Sequence, residues 1–359
     1  MQDYADWEIV VSDNASDHDV LTYVQSIGDP RIRGRRHPEL VPVTDNWNAA
    51  LAQATGDYFI MLGDDDALMP KALSRMAALI ERWLRPMVIY AQAFQYAYPN
   101  VVPGHPDPFL QTGYNEFLEG RREPFALPRP TALRMVRAAM AFRILYGYNM
   151  QHFVINRDLV EKLRPRGAFF QSPYPDYYAA NAVLLSADRL IATPEVFALI
   201  GISPKSFGYY YINQREREGV EFLQNVAEQD IAERVRGKLV PGSNMNDSWL
   251  CAMETLARNF PDQVGSAVKH SGYRRLQYYE LIKTRNRSAA LRSMRWWEVP
   301  IYGAAALVFA VIRPLPGRPR VFIGGWLTHL LFRTAPRFDS HRRTVAYRDI
   351  LEAARGEAG

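Results

Sequence analysis

The chain has 359 residues, of which 48% are hydrophobic and 23% are charged, and its formal net charge is +5. This balance excludes a disordered or low-complexity protein and provides enough material for one large domain plus a smaller one. A single cysteine, Cys251, excludes an intrachain disulfide framework and is typical of a reducing compartment.

The first ninety residues alternate between apolar strand patterns and amphipathic helix patterns. Strands are predicted over Trp7–Ser12, Tyr58–Leu62 and Met87–Ala91, with helices between and after them. This alternation is typical of an α/β protein with a doubly wound, mostly parallel sheet. Ligands bind such sheets beyond the carboxyl ends of the strands, and both Asp13 and an aspartate triplet lie at such ends.

The triplet consists of Asp64, Asp65 and Asp66, which follow the second predicted strand and precede Pro70. Neighbouring carboxylates repel one another, and a divalent cation relieves that repulsion. Mg²⁺ commonly takes one or two carboxylates and completes its shell with substrate phosphates. The pattern therefore predicts a metal–diphosphate site, while a solvated acidic turn that caps the next helix explains the same residues without a ligand.

The rest of the chain divides by composition. A Pro- and Gly-rich excursion over Val102–Pro130 is followed by a predicted helix over Ala132–Ile144 and a strand over His152–Ile155. Amphipathic helical patterns fill most of Asn213–His270. We therefore predict an α/β domain over 1–212, a helical region over 213–290, and a basic, apolar region over 291–359.

Two apolar runs, Val299–Ile312 and Val321–Phe332, lie in that last region, and both are shorter than the ~20 residues of a spanning helix. Between Lys283 and Arg343 there are twelve Lys or Arg residues and two acids. Tryptophans of the kind found at membrane interfaces accompany the runs, namely Trp296, Trp297 and Trp326. The pattern predicts a helix pair on an anionic membrane surface, with burial against the rest of the protein as the alternative. No nucleic-acid-binding module accompanies the basic residues, so we expect no nucleic acid partner.

Several short segments occur together in a characteristic order. They are 2–4, 7–17, Asn46–Asn48, Ala54–Tyr58, the aspartate triplet and Pro70. In this order and spacing they resemble the family 2 nucleotide-sugar glycosyltransferases, whose fold is of the GT-A type. The resemblance covers about residues 2–210 and is strongest over 2–85.

The resemblance implies roles for individual residues. Asp13 would contact the nucleotide base, Asn46 would bind the nucleotide sugar, and Lys205 would meet a phosphate. The triplet would hold Mg²⁺ or Mn²⁺ and the ribose–diphosphate, with Asp66 and Asp65 ahead of Asp64 as metal ligands. Asp176, in a segment that resembles the family's late acidic motif, would be the general base. His152 and Tyr177 are acceptor-site candidates, although a core histidine also explains His152.

The implied activity is an inverting transfer of a sugar from a nucleotide-diphosphate sugar to a polysaccharide or lipid-linked acceptor. This suits cell-envelope polysaccharide biosynthesis by a cytoplasmic enzyme that is peripheral on the inner face of the cell membrane. Two alternatives are an inactive, membrane-associated relative that only binds, and a nucleotidyltransferase, which would release pyrophosphate. The resemblance also implies that the family's first strand and helix are absent before Trp7, so we expect this chain to be weakly stable and weakly active.

Overall fold

The computed structural model describes residues 2–102, 105–112, 115–213, 215–216, 235–265, 267–283, 287–312 and 342–358. The second predicted apolar run, Val321–Phe332, and Trp326 lie outside the described residues. The helices are α1 (Val20–Ser26), α2 (Val43–Gln53), α3 (Ala72–Arg82), α4 (Arg129–Met140), α5 (Arg157–Leu163), α6 (Pro175–Ser186), α7 (Phe207–Ile212), α8 (Asn244–Asn259), α9 (Pro261–Val264), α10 (His270–Lys283), α11 (Arg287–Ser293), α12 (Val299–Ile312) and α13 (Ile350–Gly356). Short 3₁₀ helices cover Glu116–Leu118, Met150–His152 and Arg164–Arg166.

The strands are β1 (Ile9–Asp13), β2 (Ile32–Arg36), β3 (Tyr58–Phe59), β4 (Ala67–Leu68), β5 (Val88–Ala97), β6 (Phe109–Thr112), β7 (Phe125–Ala126), β8 (Phe153–Asn156), β9 (Leu190–Ile202) and β10 (Arg342–Thr344). The long strands β5 and β9 run in parallel side by side and form the centre of the main sheet. The other edge of β5 pairs with β8 and β6, and the other edge of β9 pairs with β7 and β4. Because β4 pairs with the final residues of β9, the chain just before β4 lies beside the carboxyl end of β9.

The predicted α/β class with a following helical region is confirmed, but the sheet is not mostly parallel. Among the described pairings only β1–β2 and β5–β9 are parallel, and the others are antiparallel. Strand direction depends on how the chain connects the strands. The apolar patterns revealed individual strands and not their directions, and the short strands β4, β6 and β7 gave no clear pattern of their own.

Strands β1 and β2 form a separate two-stranded sheet with α1 and α2 packed against it. Its link to the start of β3 includes a hydrogen bond of 2.8 Å from the backbone amide of Gly56 to Glu8 Oε1. The predicted weak stability and weak activity of the chain stay predictions.

Two apolar cores lie on opposite faces of the main sheet, because successive side chains of a strand point to opposite faces. Val88 and Tyr90 of β5 enter the first core, which α4, α6, α8 and α10 cover. Ile89 and Ala91 enter the second core, which α3 and α13 cover. The helical region that follows α7 therefore shares a core with the α/β domain, and this packing fixes the position of α6.

The region predicted to associate with a membrane over 291–359 needs correction at its end. Strand β10 pairs antiparallel with β6, and α13 buries Ile350, Ala353 and Ala354 in the second core. Their spacing of three and four residues places them on one helix face. Residues 342–358 thus belong to the α/β domain. None of the helices in the described ranges has the length and apolar character needed to cross a membrane.

Candidate active site

The aspartate triplet lies in the turn between β3 and β4, and the end of β9 holds it in place. Gly201 donates its backbone amide to Asp66 Oδ1 at 2.9 Å, and Ser203 donates its amide to Asp65 Oδ2 at 3.2 Å. Asp66 Oδ2 accepts a further bond of 2.6 Å from the amide of Gly63. Backbone amides fix the orientation of the Asp65 and Asp66 carboxylates. The turn is therefore an ordered structure held by β9, and these carboxylates do not cap α3.

Gly201 allows the triplet to lie this close to β9. A Cβ atom at this position would overlap the carbonyl oxygen of Asp65 and lie 2.7 Å from its carbonyl carbon. An isolated glycine within a strand pattern signals such a close backbone approach, and this was the available signal in the sequence. Ser203 contributes only its backbone amide here. A backbone contact does not depend on the side chain, so the residue type does not reveal it. Sequence reasoning missed both positions.

Two carboxylate oxygens of the triplet converge over Gly63. Asp65 Oδ1 and Asp66 Oδ2 each lie 3.2 Å from the position that a Cβ on Gly63 would occupy. Burial raises the pKa of Asp65 to about 6; the Ser203 hydrogen bond lowers it, and the neighbouring charges of Asp66 and Asp64 raise it again. Burial also raises the pKa of Asp66, against the hydrogen bonds that it accepts. A cation would relieve this crowding of negative charge.

The donor set fits a hard cation that shares its shell with a substrate. Within the described ranges, no group of three or more His, Cys, Asp or Glu side chains is arranged to hold a metal by itself. Mg²⁺ commonly binds one or two carboxylates and takes its other ligands from phosphates and water. Asp65 and Asp66 supply half-buried carboxylates, each with one oxygen held by a backbone amide of Ser203 or Gly201, and Asp64 supplies an exposed one.

Asp176 lies in the first turn of α6, a helix whose other residues are almost all buried. Its Oδ1 atom is buried and has no hydrogen-bond partner in the described part of the chain. Burial raises the pKa of Asp176 to about 7, and the charge of Asp66 adds to the increase, whereas the backbone amide of Met150 opposes it. A carboxyl group in this state ionises near neutral pH, as a general base requires.

A third group lies at the carboxyl end of β1. Asp13 Oδ1 accepts hydrogen bonds from the amide and hydroxyl of Ser16, and Asp13 Oδ2 accepts a bond of 2.9 Å from Arg36 Nη1. Burial raises the pKa of Asp13, but these bonds and the Arg36 charge together hold it below its usual value. Asn46 of α2 accepts a bond of 2.6 Å from the Ser12 hydroxyl beside this group. The predicted contacts of Asp13 and Asn46 with the nucleotide stay predictions.

Lys205 is exposed on the loop after β9, two residues beyond the amide that holds Asp65. Tyr177 follows Asp176 on α6 and belongs to an aromatic cluster. Its ring stacks on Tyr174 with centroids 4.1 Å apart and also packs against Tyr148 and Trp249. A phosphate contact for Lys205 and an acceptor contact for Tyr177 stay predictions.

His152 belongs to the core and not to the predicted acceptor site. Its side chain is 2% exposed, its Nδ1 lies 2.9 Å from the carbonyl oxygen of Ala91, and its ring stacks on Tyr90. Burial lowers the pKa of His152 to about 4, so the ring is neutral at physiological pH. The apolar residues around it explain its presence without a ligand.

The N-terminal part of the sequence resembles a known protein family. Residues 1–144 match the family model described as "Glycosyl transferase family 2". The N-terminal part of this chain is thus similar to glycosyl transferase family 2. The similarity identifies the chain as a glycosyltransferase; the acidic turn lies inside the matched segment, and Asp176 lies beyond it.

Solved structures that match the chain include TarS residues 1–349 from S. aureus. That structure has 16% sequence identity and a TM-score of 0.44, with 81% of each chain covered. The same protein in complex with UDP has 15% identity and a TM-score of 0.41, again with 81% of each chain covered. No curated protein sequence matches this chain.

Proposed function

We propose that this glycosyltransferase moves a sugar from a nucleoside-diphosphate sugar to a glycan or lipid-linked acceptor, with inversion at the anomeric carbon. The observation that carries the proposal is the pairing of two carboxylate groups on separate elements. The acidic turn is anchored to β9, whereas Asp176 is anchored in α6, and the charge of Asp66 raises the pKa of Asp176. Inversion requires separate groups, because the acceptor attacks the face opposite to the leaving diphosphate.

Asp176 suits the role of general base. Its Oδ1, which has no hydrogen-bond partner among the described residues, can accept the proton of an acceptor hydroxyl, and above about pH 7 the group is ionised and ready to do so. Asp66 and Asp65 would hold Mg²⁺ or Mn²⁺, with Asp64 beside them. When bound, this cation supplies positive charge to the departing diphosphate. The backbone amides of Gly201 and Ser203 keep the carboxylates in place, so that they need not reorganise during the reaction.

Donor binding tests the acidic turn directly. We expect UDP, GDP or dTDP to bind at least about 10-fold more tightly with Mn²⁺ or Mg²⁺ than with EDTA, because the cation would add positive charge between the carboxylates of the turn and the diphosphate. Asp65→Asn should remove this difference, which titration calorimetry would measure. Asp57→Asn, which alters an exposed carboxylate paired with Arg85, is the control and should bind like the parent. Cation-independent binding, or an unchanged Asp65→Asn variant, would contradict the assignment.

We also propose that residues 291–312 attach the enzyme to the anionic inner face of the cell membrane. Trp296 is 81% exposed, and Leu307 and Val311 of α12 are 69% and 72% exposed. Arg292 and Arg295 are exposed beside them. Exposed apolar side chains together with basic ones suit the boundary between headgroups and acyl chains.

A buried ion pair fixes the orientation of this segment. Glu298, just before α12, accepts hydrogen bonds of 2.6 and 2.9 Å from Arg274 of α10 and a further bond of 2.9 Å from the Tyr278 hydroxyl. Burial raises the pKa of Glu298, but these partners outweigh burial and lower it to about 2. The ion pair therefore persists at any physiological pH and holds the tryptophan pair at the surface.

Vesicle flotation tests the membrane proposal. We expect the protein to float with phosphatidylserine-containing vesicles and to bind neutral phosphatidylcholine vesicles much less, because the Arg residues favour anionic lipid. The double variant Trp296→Ala/Trp297→Ala should reduce the bound fraction by about 10-fold. Leu84→Ala, at an exposed apolar residue remote in sequence, is the control. A protein that stays in the aqueous fraction with both vesicle types would contradict the proposal.

A further inference from the structure

The side-chain amide of Gln151 forms a hydrogen bond within the site through its nitrogen, whereas its oxygen has no partner among the described residues. Its Nε2 donates a hydrogen bond of 2.5 Å to Asp66 Oδ2. Its Oε1 is buried and has no hydrogen-bond partner among the residues that the structure describes. An ionised carboxylate can only accept hydrogen bonds, so the amide nitrogen must face Asp66 and the amide oxygen must face away.

The 3₁₀ segment Met150–His152 connects both carboxylate groups of the site. Met150 acts on Asp176 through its backbone amide, and Gln151 bonds to Asp66. His152 ties the segment to β5 through the carbonyl oxygen of Ala91. Consecutive residues of one anchored segment thus fix two carboxylates whose elements are distant in sequence.

Two buried oxygen acceptors that have no donor in the described part of the chain result from this arrangement, Gln151 Oε1 and Asp176 Oδ1. A buried acceptor that stays unpaired costs free energy, so such groups usually serve a ligand or ordered water. The missing partners must be donors. Sugar hydroxyl groups are donors, whereas the oxygens of a diphosphate are acceptors.

We propose that Gln151 Oε1 accepts a hydrogen bond from one hydroxyl group of the transferred sugar, and thereby helps to select the donor. This inference rests on the proposed function. The transferred sugar is covalently bonded to the diphosphate. Gln151 is hydrogen-bonded to Asp66 of the acidic turn, which would hold that diphosphate. Under the proposed function Asp176 Oδ1 receives the acceptor hydroxyl, which leaves Gln151 Oε1 for the donor sugar.

Deoxy-sugar donors test this contact in the full chain. For the nucleotide sugar that the parent enzyme uses, kcat/KM would be measured for the natural donor and for analogues that lack one hydroxyl each. We expect one analogue to lose about 10- to 100-fold in kcat/KM with the parent, because a site built to bond a hydroxyl rejects the analogue that lacks it. In Gln151→Met, which keeps the length but removes both polar groups, that preference should fall to about 2-fold or less.

A purely structural role for Gln151 gives a different result. Loss of the bond to Asp66 alone would lower kcat/KM for all donors by the same factor and leave the preference intact, and that result would overturn the inference. Gln151→Asn keeps the amide but retracts it, and it should also lose the preference; this variant serves if Gln151→Met does not fold. Absence of turnover by the parent with every donor would instead overturn the proposed function, and this inference with it.

Discussion

Replacement of Asp176 by asparagine should lower kcat by about 10²- to 10⁴-fold, because asparagine cannot take the proton of the acceptor hydroxyl. The variant has almost the same shape, so donor binding should change little. In the parent, kcat should rise with pH through about 7 as Asp176 ionises. Initial rates with saturating donor between pH 5 and 9 would measure both effects. A variant that retains parental kcat would contradict the role of Asp176.

The same substitution should stabilise the protein at high pH. Burial raises the folded-state pKa of Asp176 from 3.8 to about 7, so the folded protein favours the neutral carboxyl group. The stability from this group is complete below about pH 4 and is lost as the pH rises through about 7. Asparagine never ionises, so Asp176→Asn should exceed the parent in free energy of unfolding by about 2–4 kcal/mol at pH 8 and by much less at pH 4.

Urea unfolding at pH 4, 6 and 8, without added nucleotide or cation, would measure that difference. Asp188→Asn is a suitable control, since this carboxylate is exposed and paired with Lys162. Exposed ion pairs contribute little to stability, so the free energy of unfolding of the control should stay within about 0.5 kcal/mol of the parent value at each pH. An Asp176→Asn variant less stable than the parent at pH 8 would show that the carboxylate is stabilised where it lies, and not strained by burial.

Gly201→Ala should damage the site more than a single added methyl group normally does. The new Cβ would overlap the backbone of Asp65, which cannot rotate away as a side chain does. Either β9 or the acidic turn must shift, which removes the amide donated to Asp66. We expect a loss of about 1–3 kcal/mol in the free energy of unfolding and about 10²-fold or more in kcat/KM.

Gly208→Ala is the matched control for that variant. Gly208 lies seven positions further on, in α7, and the nearest atoms to its new Cβ would be 3.8 and 3.9 Å away. Alanine is also the better helix former, so stability should stay the same or improve slightly. Thermal unfolding and kcat/KM for both variants would separate a specific clash from a general effect of added bulk. A Gly201→Ala variant with parental activity would show that the acidic turn can move without consequence.

The sequence allowed the first part of the fold and several site positions to be predicted. The strand before Asp13, the helix before Gly56 and the position of Asp176 in the first turn of a helix are all present in the structure. Local patterns determine these features, because capping, apolar spacing and turn residues act over a few residues. The family resemblance then related them to nucleotide-sugar chemistry.

Other features depend on contacts between distant parts of the chain. Gly201 and Ser203 meet the acidic turn about 135 positions away, and α13 returns to the second core after the apolar region. Gln151 has an ordinary residue type for a surface loop, and only the fold brings it to Asp66. Periodicity carries no information about such long-range contacts, so the direction of the strands and the support of the site required the structure.

The release of nucleoside diphosphate from a panel of UDP-, GDP- and dTDP-sugars tests the central claim most directly. Release by the full chain, by Asp66→Ala and by Asp176→Ala would be measured in the presence of Mg²⁺, of Mn²⁺ and of EDTA. We predict cation-dependent release of a nucleoside diphosphate from one donor class, lost in both variants. Release of pyrophosphate, cation-independent release, or release that persists in Asp176→Ala would contradict the account.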